Sequence, residues 1–194
     1  MRLVLASSSP RRADLLQAAG LDFLVVRGDV DETPLPDESP EAHVRRLALA
    51  KARRVAPGVG PHAVVLGADT VVTIDRLILG KPADAADAAA MLRRLSGRTH
   101  EVLTGVALLA DEKAVVEVAR TLVHLSDLSE DDLAWYIASG EPFDKAGAYG
   151  IQGLASRFVD RIEGSYSNVV GLPVSLVVSL LRPYGRFDIA GRRP

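Results

Sequence analysis

Two arginines and three serines stand together near the start of the chain, in Ser7-Ser8-Ser9-Pro10-Arg11-Arg12. The segment follows a short apolar run and opens a helical pattern, with Ser9 as the expected N-cap and Pro10 at the first helical position. The first turn of a helix disfavours cations such as Arg11 and Arg12. A phosphate bound among the hydroxyls, N–H groups and guanidinium groups would resolve that conflict. The alternative is an ordinary capped helix with two solvated arginines.

Carboxylates that could bind a metal ion or activate water occur in two further segments. Asp69 lies in Gly67-Ala68-Asp69-Thr70 between two apolar runs, where a buried acid needs a partner or must face a cleft. At a sheet edge beside a phosphate site it could bind Mg²⁺ or Mn²⁺, or activate water; an aspartate that closes a turn or bulge is the alternative. The loop Asp29-Val30-Asp31-Glu32 could supply Glu32 as a second metal ligand, although solvated loop acids are the simpler interpretation.

Only four of the 23 basic residues are lysines, and three of them lie in segments that could bind a ligand. Lys51 falls on the apolar face of a predicted helix, where it either extends its ammonium group to solvent or reaches a phosphate. Lys81 follows a short predicted strand in Leu79-Gly80-Lys81-Pro82, a common place for ligand contacts. Lys145 lies in a polar, glycine-bearing loop. These positions predict phosphate-binding cations.

A glycine-dense segment, Gly147-Ala148-Tyr149-Gly150-Ile151-Gln152-Gly153, follows Lys145 directly. Its glycines allow a backbone to approach a ligand closely. Gln152 has both a hydrogen-bond donor and an acceptor, which is the equipment for reading the edge of a base. The segment is compatible with a loop that contacts a nucleotide base.

Composition excludes several other functions. The net charge of −2 and the lack of interleaved basic and aromatic residues argue against nucleic-acid binding. The absence of cysteine excludes disulfides, thiolate nucleophiles and cysteine-ligated zinc, and the four histidines are scattered. No Walker phosphate loop, dinucleotide fingerprint or Gly-x-Ser-x-Gly elbow is present. The N-terminus turns polar too early for a signal peptide, and no apolar stretch could span a bilayer, so we expect a cytoplasmic protein.

The order of predicted elements indicates a mixed α/β or α+β fold around a twisted sheet. The predicted strands cover residues 2–6, 21–26, 63–66, 71–74, 77–79, 101–109, 114–125 and 157–162. The predicted helices cover residues 10–20, 40–56, 84–95, 129–140 and 173–181. A chain of 194 residues without a linker fits one domain, 1–194, large enough for two lobes, with a frayed tail from about residue 185.

Together these segments resemble the Maf family, also called septum formation inhibitor-like proteins. The matching stretches are Leu5-Ala6-Ser7-Ser8-Ser9-Pro10-Arg11-Arg12, Ala50-Lys51-Ala52, Gly67-Ala68-Asp69-Thr70-Val71-Val72, Gly80-Lys81-Pro82, Gly171-Leu172-Pro173, and the segment from Asp144-Lys145-Ala146 to Gly153. The resemblance implies a nucleotide pyrophosphatase with an inosine-triphosphatase-like fold, in which two lobes border a central cleft. It also implies a homodimer that needs a divalent cation: Mg²⁺, Mn²⁺ or Co²⁺.

The resemblance assigns roles to individual residues. The family's proton acceptor matches Asp69, which with the loop acid Glu32 would also bind the metal. The phosphate-contacting residues match Ser7, Arg12, Lys51 and Lys81, and Lys145 joins them as a further substrate-binding candidate. Three positions that distinguish the branch acting on dTTP and UTP match Arg11, Thr70 and Gln152.

We therefore expect hydrolysis of dTTP and UTP to the monophosphate and pyrophosphate, by metal-assisted attack of water at the α-phosphorus. A neutral Gln152 can pair with the O4 and N3–H edge of thymine or uracil, whereas a carboxylate would suit a cationic methylated guanine. One alternative is a pyrophosphatase for 7-methyl-GTP or damaged nucleotides. A more distant one is a non-enzymatic regulator of cell division.

Overall fold

The strands and helices below come from a computed structural model, which describes residues 1–111, 113–185 and 187. The strands are β1 (Arg2–Ala6), β2 (Phe23–Val26), β3 (Ala63–Ile74), β4 (Leu77–Leu79), β5 (Thr99–Ala110), β6 (Lys113–Leu125) and β7 (Val159–Glu163). The helices are α1 (Pro10–Ala18), α2 (Pro40–Val55), α3 (Ala85–Leu95), α4 (Glu130–Ala138), α5 (Tyr166–Val170) and α6 (Val174–Leu181). Short 3₁₀ turns cover Glu141–Asp144, Ala146–Ala148 and Leu154–Phe158.

The strands form a mixed sheet in the order β2-β1-β3-β5-β6-β7, with β4 paired to β3. Strand β1 runs parallel to both β2 and β3, whereas the β3–β4 and β6–β7 pairs are antiparallel. Parallel strands require a crossover between them, and α1 and α2 occupy those connections. The predicted mixed α/β fold is confirmed.

The chain divides into two compact units. The first contains residues 1–69, 104–119 and the described part of 171–194, and the second contains residues 70–103 and 120–170. We refer to them as the first unit and the second unit. The prediction that 1–194 is one functional domain stays a prediction.

In the first unit the apolar face of α2 packs onto strand residues. Val44, Leu47 and Ala48 are almost completely buried, as the helical pattern predicts. A side chain at Gly67 would overlap the carbonyl oxygen of Ala48 and approach the Ala52 nitrogen to 2.9 Å. The helix therefore lies directly against β3 because position 67 has no Cβ atom.

In the second unit the core is built from α3, α4, β6 and the chain before β7. Its fully buried large side chains include Leu92, Leu95, Leu125 and Tyr136, and Phe158 packs in the same cluster. Since helix and strand faces both contribute, this unit has an apolar core of its own.

Two helices begin with the expected side-chain caps, and one does not. Ser39 accepts a hydrogen bond from the Ala42 N–H, and Ser129 forms a reciprocal capping box with Asp132. Ser9 occupies the N-cap position of α1, but its side chain makes no capping hydrogen bond. Instead, the Ser9 N–H donates to the Ser7 hydroxyl oxygen at 3.1 Å. Ser9 is therefore the N-cap residue, as predicted, but its side chain does not cap the helix.

The predicted strand boundaries need one correction. The two strands predicted at 63–66 and 71–74 are one continuous strand, β3, in the interior of the sheet, so Asp69 lies neither at a sheet edge nor in a turn. Helix α5 was not expected, because five residues are too few to show an apolar period. The predicted frayed tail from about residue 185 falls almost entirely outside the described residues. Across residues 1–111, 113–185 and 187, no helix has the length and apolarity needed to cross a membrane.

Candidate active site

Arg12 is a buried cation held at the start of α1. Only 8% of its surface is exposed, although its position in the first helical turn is unfavourable for a cation. Its Nε donates to the carbonyl oxygen of Gly171 at 2.9 Å, and its Nη1 donates to the Ser7 hydroxyl oxygen at 3.2 Å. Two hydrogen bonds to neutral groups thus fix the orientation of the guanidinium.

Burial lowers the pKa of Arg12, while the charges of Asp69 and Glu32 act in the opposite direction and that of Arg11 adds to the lowering. A guanidinium nevertheless remains protonated at neutral pH. The protein therefore holds a permanent positive charge inside the first unit, within electrostatic range of two carboxylates. Arg11, its neighbour on α1, is partly buried.

Lys51 lies between those same two carboxylates. Its Nζ donates to the Asp69 Oδ1 at 2.6 Å and lies 2.6 Å from the Glu32 Oε1. The Lys51 and Asp69 side chains are each only 9% exposed, whereas Glu32 is 59% exposed. The ammonium group is thus buried and paired, and it does not extend to solvent.

Three elements position these charges. Gly67 lets α2 approach β3, which carries Asp69 two residues further along the strand. Gly28 also permits a close approach to α2, since a Cβ there would lie 2.9 Å from the Lys51 carbonyl oxygen. The chain can therefore pass close to α2 just before the loop that bears Glu32.

A second ion pair orders that loop. The Glu38 carboxylate accepts hydrogen bonds from the Arg46 Nε at 2.6 Å and Nη2 at 2.7 Å, and from the Leu35 N–H at 3.1 Å. His43 Nδ1 lies 3.0 Å from the same carboxylate. The Arg46 Nη2 also donates to the Thr33 carbonyl oxygen at 3.1 Å. The hydrogen bonds from Arg46 hold the pKa of Glu38 at about 2.

Sequence reasoning missed Glu38, His43 and Arg46. The available signal was a glutamate just before a Ser-Pro helix start, followed by a basic residue two turns into the helix. An acid next to a helix N-terminus is common, and this pattern alone does not distinguish a buried bidentate pair from a solvated one.

The carboxylates of Asp69 and Glu32 fit a divalent cation. Both place an oxygen 2.6 Å from one cationic atom, the Lys51 Nζ. Carboxylate oxygens are the ligands that Mg²⁺ prefers, and it commonly takes one or two of them together with substrate phosphates. Within the part of the chain that the structure describes, no group of three or more histidine, aspartate or glutamate side chains could hold a metal. The pair therefore suits a metal ion that substrate helps to bind.

The second unit contains the remaining predicted residues. Thr70 follows Asp69 in β3 and is partly buried, and Lys81 is exposed after β4. The Gly147 N–H donates to the Gly80 carbonyl oxygen at 3.0 Å, so the segment with Lys81 lies beside the start of the glycine-rich segment. Lys145 Nζ donates to the Glu141 carbonyl oxygen at 2.8 Å and to the Asp144 Oδ1 at 2.5 Å.

Gln152 is exposed on a turn of the glycine-rich segment, and two residues that sequence reasoning missed contact that turn. These are Tyr136, at the end of α4, and Glu141. The signal for Glu141 was a carboxylate four residues before Lys145, which has no special meaning outside a regular helix. Tyr136 falls within the helix predicted at residues 129–140, and that pattern does not indicate a contact of its hydroxyl with a distant turn.

Comparison with known proteins agrees with this picture. The sequence profile of the Maf-like protein family matches residues 2–184. The chain is 51% identical over 184 residues to the dTTP/UTP pyrophosphatase of Symbiobacterium thermophilum, covering 95% of this chain and 94% of the relative. It is 54% identical over 185 residues to the dTTP/UTP pyrophosphatase of Citrifermentans bemidjiense, with 94% and 95% covered.

The fold is also found in a solved structure. The Staphylococcus aureus Ham1 protein superposes with a TM-score of 0.52 at 14% identity, covering 94% of this chain and 99% of that one. This similarity concerns the fold alone, and it agrees with the expected inosine-triphosphatase-like fold. Because the family profile spans nearly the whole chain and the relatives are about half identical to it, the chain belongs to the family of Maf-like proteins.

Proposed function

We propose that this protein hydrolyses dTTP and UTP to the nucleoside monophosphate and pyrophosphate. The observation that carries the proposal is the cluster of Lys51, Asp69 and Glu32, with both carboxylates 2.6 Å from one ammonium group and the Arg12 cation nearby. Such a cluster has cations for a polyphosphate and carboxylates for water or a metal ion. The names of the relatives, dTTP/UTP pyrophosphatase, supply the substrates.

The cations would bind and neutralise the phosphates. The Arg12 guanidinium is fixed by hydrogen bonds before substrate arrives, so this cation needs little reorganisation when negative charge grows on the leaving pyrophosphate. The Ser7 hydroxyl and the N-terminal N–H groups of α1 add neutral donors. The resemblance adds Lys81 as a further cation, and the polar, glycine-bearing loop adds Lys145 as a further substrate contact; both roles stay predictions.

Asp69 would accept the proton of the attacking water. Water attacks the α-phosphorus, the bond from that phosphorus to the bridging oxygen breaks, and pyrophosphate leaves with the electron pair. When a polyphosphate draws the Lys51 ammonium toward itself, the Asp69 oxygen now bonded to Lys51 becomes available to a water molecule. Asp69 and Glu32 are the residues that would hold Mg²⁺, Mn²⁺ or Co²⁺, an ion that supplies charge neutralisation and a more acidic water.

The substrate base would be selected by Gln152, Arg11 and Thr70. An amide at position 152 offers one donor and one acceptor to the O4 and N3–H edge of thymine or uracil. A carboxylate there would suit 7-methyl-GTP, and this favours the pyrimidine substrates over that alternative.

A nucleotide panel tests the proposal. The purified protein is incubated with dTTP, UTP, CTP, dATP and 7-methyl-GTP, each with Mg²⁺, Mn²⁺ or Co²⁺ and with a chelator, and the products are separated. We expect pyrophosphate from dTTP and UTP, and its loss with the chelator. Orthophosphate as the product, or no turnover of any nucleotide, contradicts the proposal, and the latter outcome favours a non-enzymatic regulator.

We further propose a homodimer, which the resemblance implies, located in the cytoplasm and without nucleic-acid partners. A net charge of −2 supports the last point, since proteins that coat nucleic acid carry a positive excess. Light scattering during size-exclusion chromatography measures the oligomeric state, and a monomeric mass at micromolar concentration contradicts the dimer.

A further inference from the structure

Gln152 is carried by a tight turn. The Gly153 N–H donates to the Gly150 carbonyl oxygen at 3.1 Å, which closes a four-residue turn over 150–153 with Gln152 as its third residue. The Gln152 side chain is exposed. An exposed side chain on a single turn can select a base only when the backbone of that turn is fixed.

Two side chains fix the turn at its two ends. The Tyr136 hydroxyl oxygen accepts a hydrogen bond from the Gly150 N–H at 3.3 Å. The Glu141 Oε2 accepts one from the Leu154 N–H at 2.8 Å, immediately after the turn. The Tyr136 hydroxyl donates in turn to the Glu141 Oε1 at 2.9 Å. One hydrogen-bonded pair of side chains therefore holds the first residue of the turn and the residue that follows it.

The two glycines of the turn leave room for this contact. A Cβ atom at Gly153 would overlap the Glu141 carboxylate, and one at Gly150 would lie 2.5 Å from the Lys145 Cε. The φ angles of these two glycines are not in the left-handed region, so what their positions require is close approach. The turn is therefore shaped around Glu141 and Lys145.

Tyr136 is a rigid support for the turn. Its side chain is fully buried in the core of the second unit, and its ring packs edge to face against Phe158 with the centroids 5.8 Å apart. Burial, reinforced by the hydrogen bond to Glu141, raises the pKa of Tyr136, so its hydroxyl keeps its proton at neutral pH. The Glu141 main chain also accepts the bond from Lys145 Nζ, which ties a second predicted substrate contact to the same residue.

We propose that Tyr136 and Glu141 are positioning residues for base selection, which hold the 150–153 turn so that Gln152 presents its amide to the thymine or uracil edge. The inference rests on the proposed function, because it assumes that Gln152 contacts the base. Neither residue touches the reacting phosphates in this account. Their loss should weaken binding of the preferred nucleotides and leave the chemical step intact.

The test compares Tyr136→Phe and Glu141→Gln with the unchanged protein. Phenylalanine keeps the buried ring and removes only the hydroxyl, and glutamine retains one acceptor oxygen where the two bonds need two. For each variant, kcat and KM are measured with dTTP, UTP, CTP and 7-methyl-GTP. We expect KM for dTTP and UTP to rise about tenfold and their preference over CTP to fall about tenfold, with kcat within about twofold.

Two controls separate positioning from general destabilisation. Ser129→Ala removes the capping box of α4, the helix that carries Tyr136, without touching the turn, and should leave the base preference unchanged. Gln152→Ala should lower the preference by itself, and adding Tyr136→Phe to it should change the preference by less than about twofold, because both changes remove the same contact.

The outcomes are distinct. Unchanged KM and base preference in both Tyr136→Phe and Glu141→Gln, in a protein that does prefer dTTP and UTP, overturn the inference and leave the proposed function standing. An equal loss of preference in Ser129→Ala, or additive effects with Gln152→Ala, overturn it too. No pyrophosphate from dTTP or UTP in the unchanged protein overturns the proposed function, and the inference falls with it.

Discussion

The cluster of Lys51, Asp69 and Glu32 and the turn at residues 150–153 hold their side chains in different ways. Lys51 and Asp69 are buried charges, and each is held by opposite charge within 2.6 Å. Gln152 is neutral and exposed, and its position is set by backbone hydrogen bonds to Tyr136 and Glu141. A buried charge costs several kcal/mol without a partner, so Lys51 and Asp69 depend on each other. A turn whose backbone is held by buried or partly buried side chains tolerates a change of its exposed side chain. The selectivity for the substrate base can therefore change at position 152 without loss of the fold.

The largest effect is expected from Asp69→Asn, which removes the predicted proton acceptor. We expect kcat for dTTP to fall by about 10³-fold or more, since general-base catalysis and metal binding are both affected. The initial rate of pyrophosphate release measures it. Asp75→Asn is the matched control, because Asp75 is an exposed aspartate paired with Arg98 just after the same strand. A near-normal rate of pyrophosphate release by Asp69→Asn would contradict the proposal that the cluster of Lys51, Asp69 and Glu32 carries out the hydrolysis.

Lys51→Met should destabilise the fold as well as weaken substrate binding. The methionine fills a similar volume but leaves the buried Asp69 carboxylate without its ammonium partner, and breaking a buried pair costs about 3 kcal/mol. Urea denaturation at neutral pH measures the free energy of unfolding. Lys113→Met, at an exposed lysine on β6, should change it little. Equal stability of both variants would mean that the cluster does not depend on charge compensation.

Glu38→Gln should destabilise the loop of Glu32 in a pH-dependent way. Replacing the carboxylate that accepts two bonds from Arg46 should cost about 2 kcal/mol at neutral pH. The folded pKa of about 2 lies below the ordinary value of 4.5. The carboxylate therefore stabilises the folded state fully above about pH 4.5, and this contribution is lost as the pH falls toward 2.

Urea denaturation of Glu38→Gln and of the unchanged protein between pH 3 and 7 measures the free energy of unfolding of each. The difference between the two free energies should shrink as the pH falls. Glu130→Gln provides the control, because Glu130 also makes a bidentate pair, with Arg93, but on the surface. A constant difference across this range would contradict the role of the Glu38 carboxylate.

The smallest effect is expected from Gln152→Glu. The exposed side chain leaves stability unchanged, while the preference for dTTP and UTP over 7-methyl-GTP should fall about tenfold, or about 1.4 kcal/mol. The ratio of kcat/KM values measures it, and Gln17→Glu, at an exposed position on α1, controls for the added charge. An unchanged ratio would mean that Gln152 does not select the base, and Arg11 and Thr70 would remain as the candidates for that role.

Much of the fold was predictable from local patterns. The elements β1, β6 and α2 were predicted correctly, from the apolar runs of the two strands and the Ser-Pro start of the helix. In each of them the local signals agree: secondary-structure propensity and hydrophobic period, and for α2 also the N-cap residue. β3 is predicted as two strands because Gly67-Ala68-Asp69-Thr70 interrupts the apolar run, yet Gly67 serves the close approach of α2. Whether a glycine bends the chain or admits a neighbour depends on a partner far away in sequence.

For the candidate site, the sequence predicts which residues take part and their order along the chain, but not how they are arranged in space. The resemblance assigns Lys51, Asp69 and Glu32 to phosphate and metal binding, but the placement of one ammonium between two carboxylates depends on tertiary packing. The supporting pairs, Glu38 with Arg46 and Tyr136 with Glu141, join residues whose spacing carries no regular signal. Loop acids such as Glu38 and Glu141 look solvated in sequence, and only the fold reveals that each accepts several hydrogen bonds.

The most direct test of the central claim is hydrolysis of dTTP in water enriched in ¹⁸O, with mass spectrometry of both products. Attack of water at the α-phosphorus predicts one ¹⁸O atom in dTMP and none in pyrophosphate. Asp69→Asn, measured beside it, should release labelled dTMP at a far lower rate. Label in pyrophosphate or in orthophosphate would place the attack on another phosphorus and contradict the account.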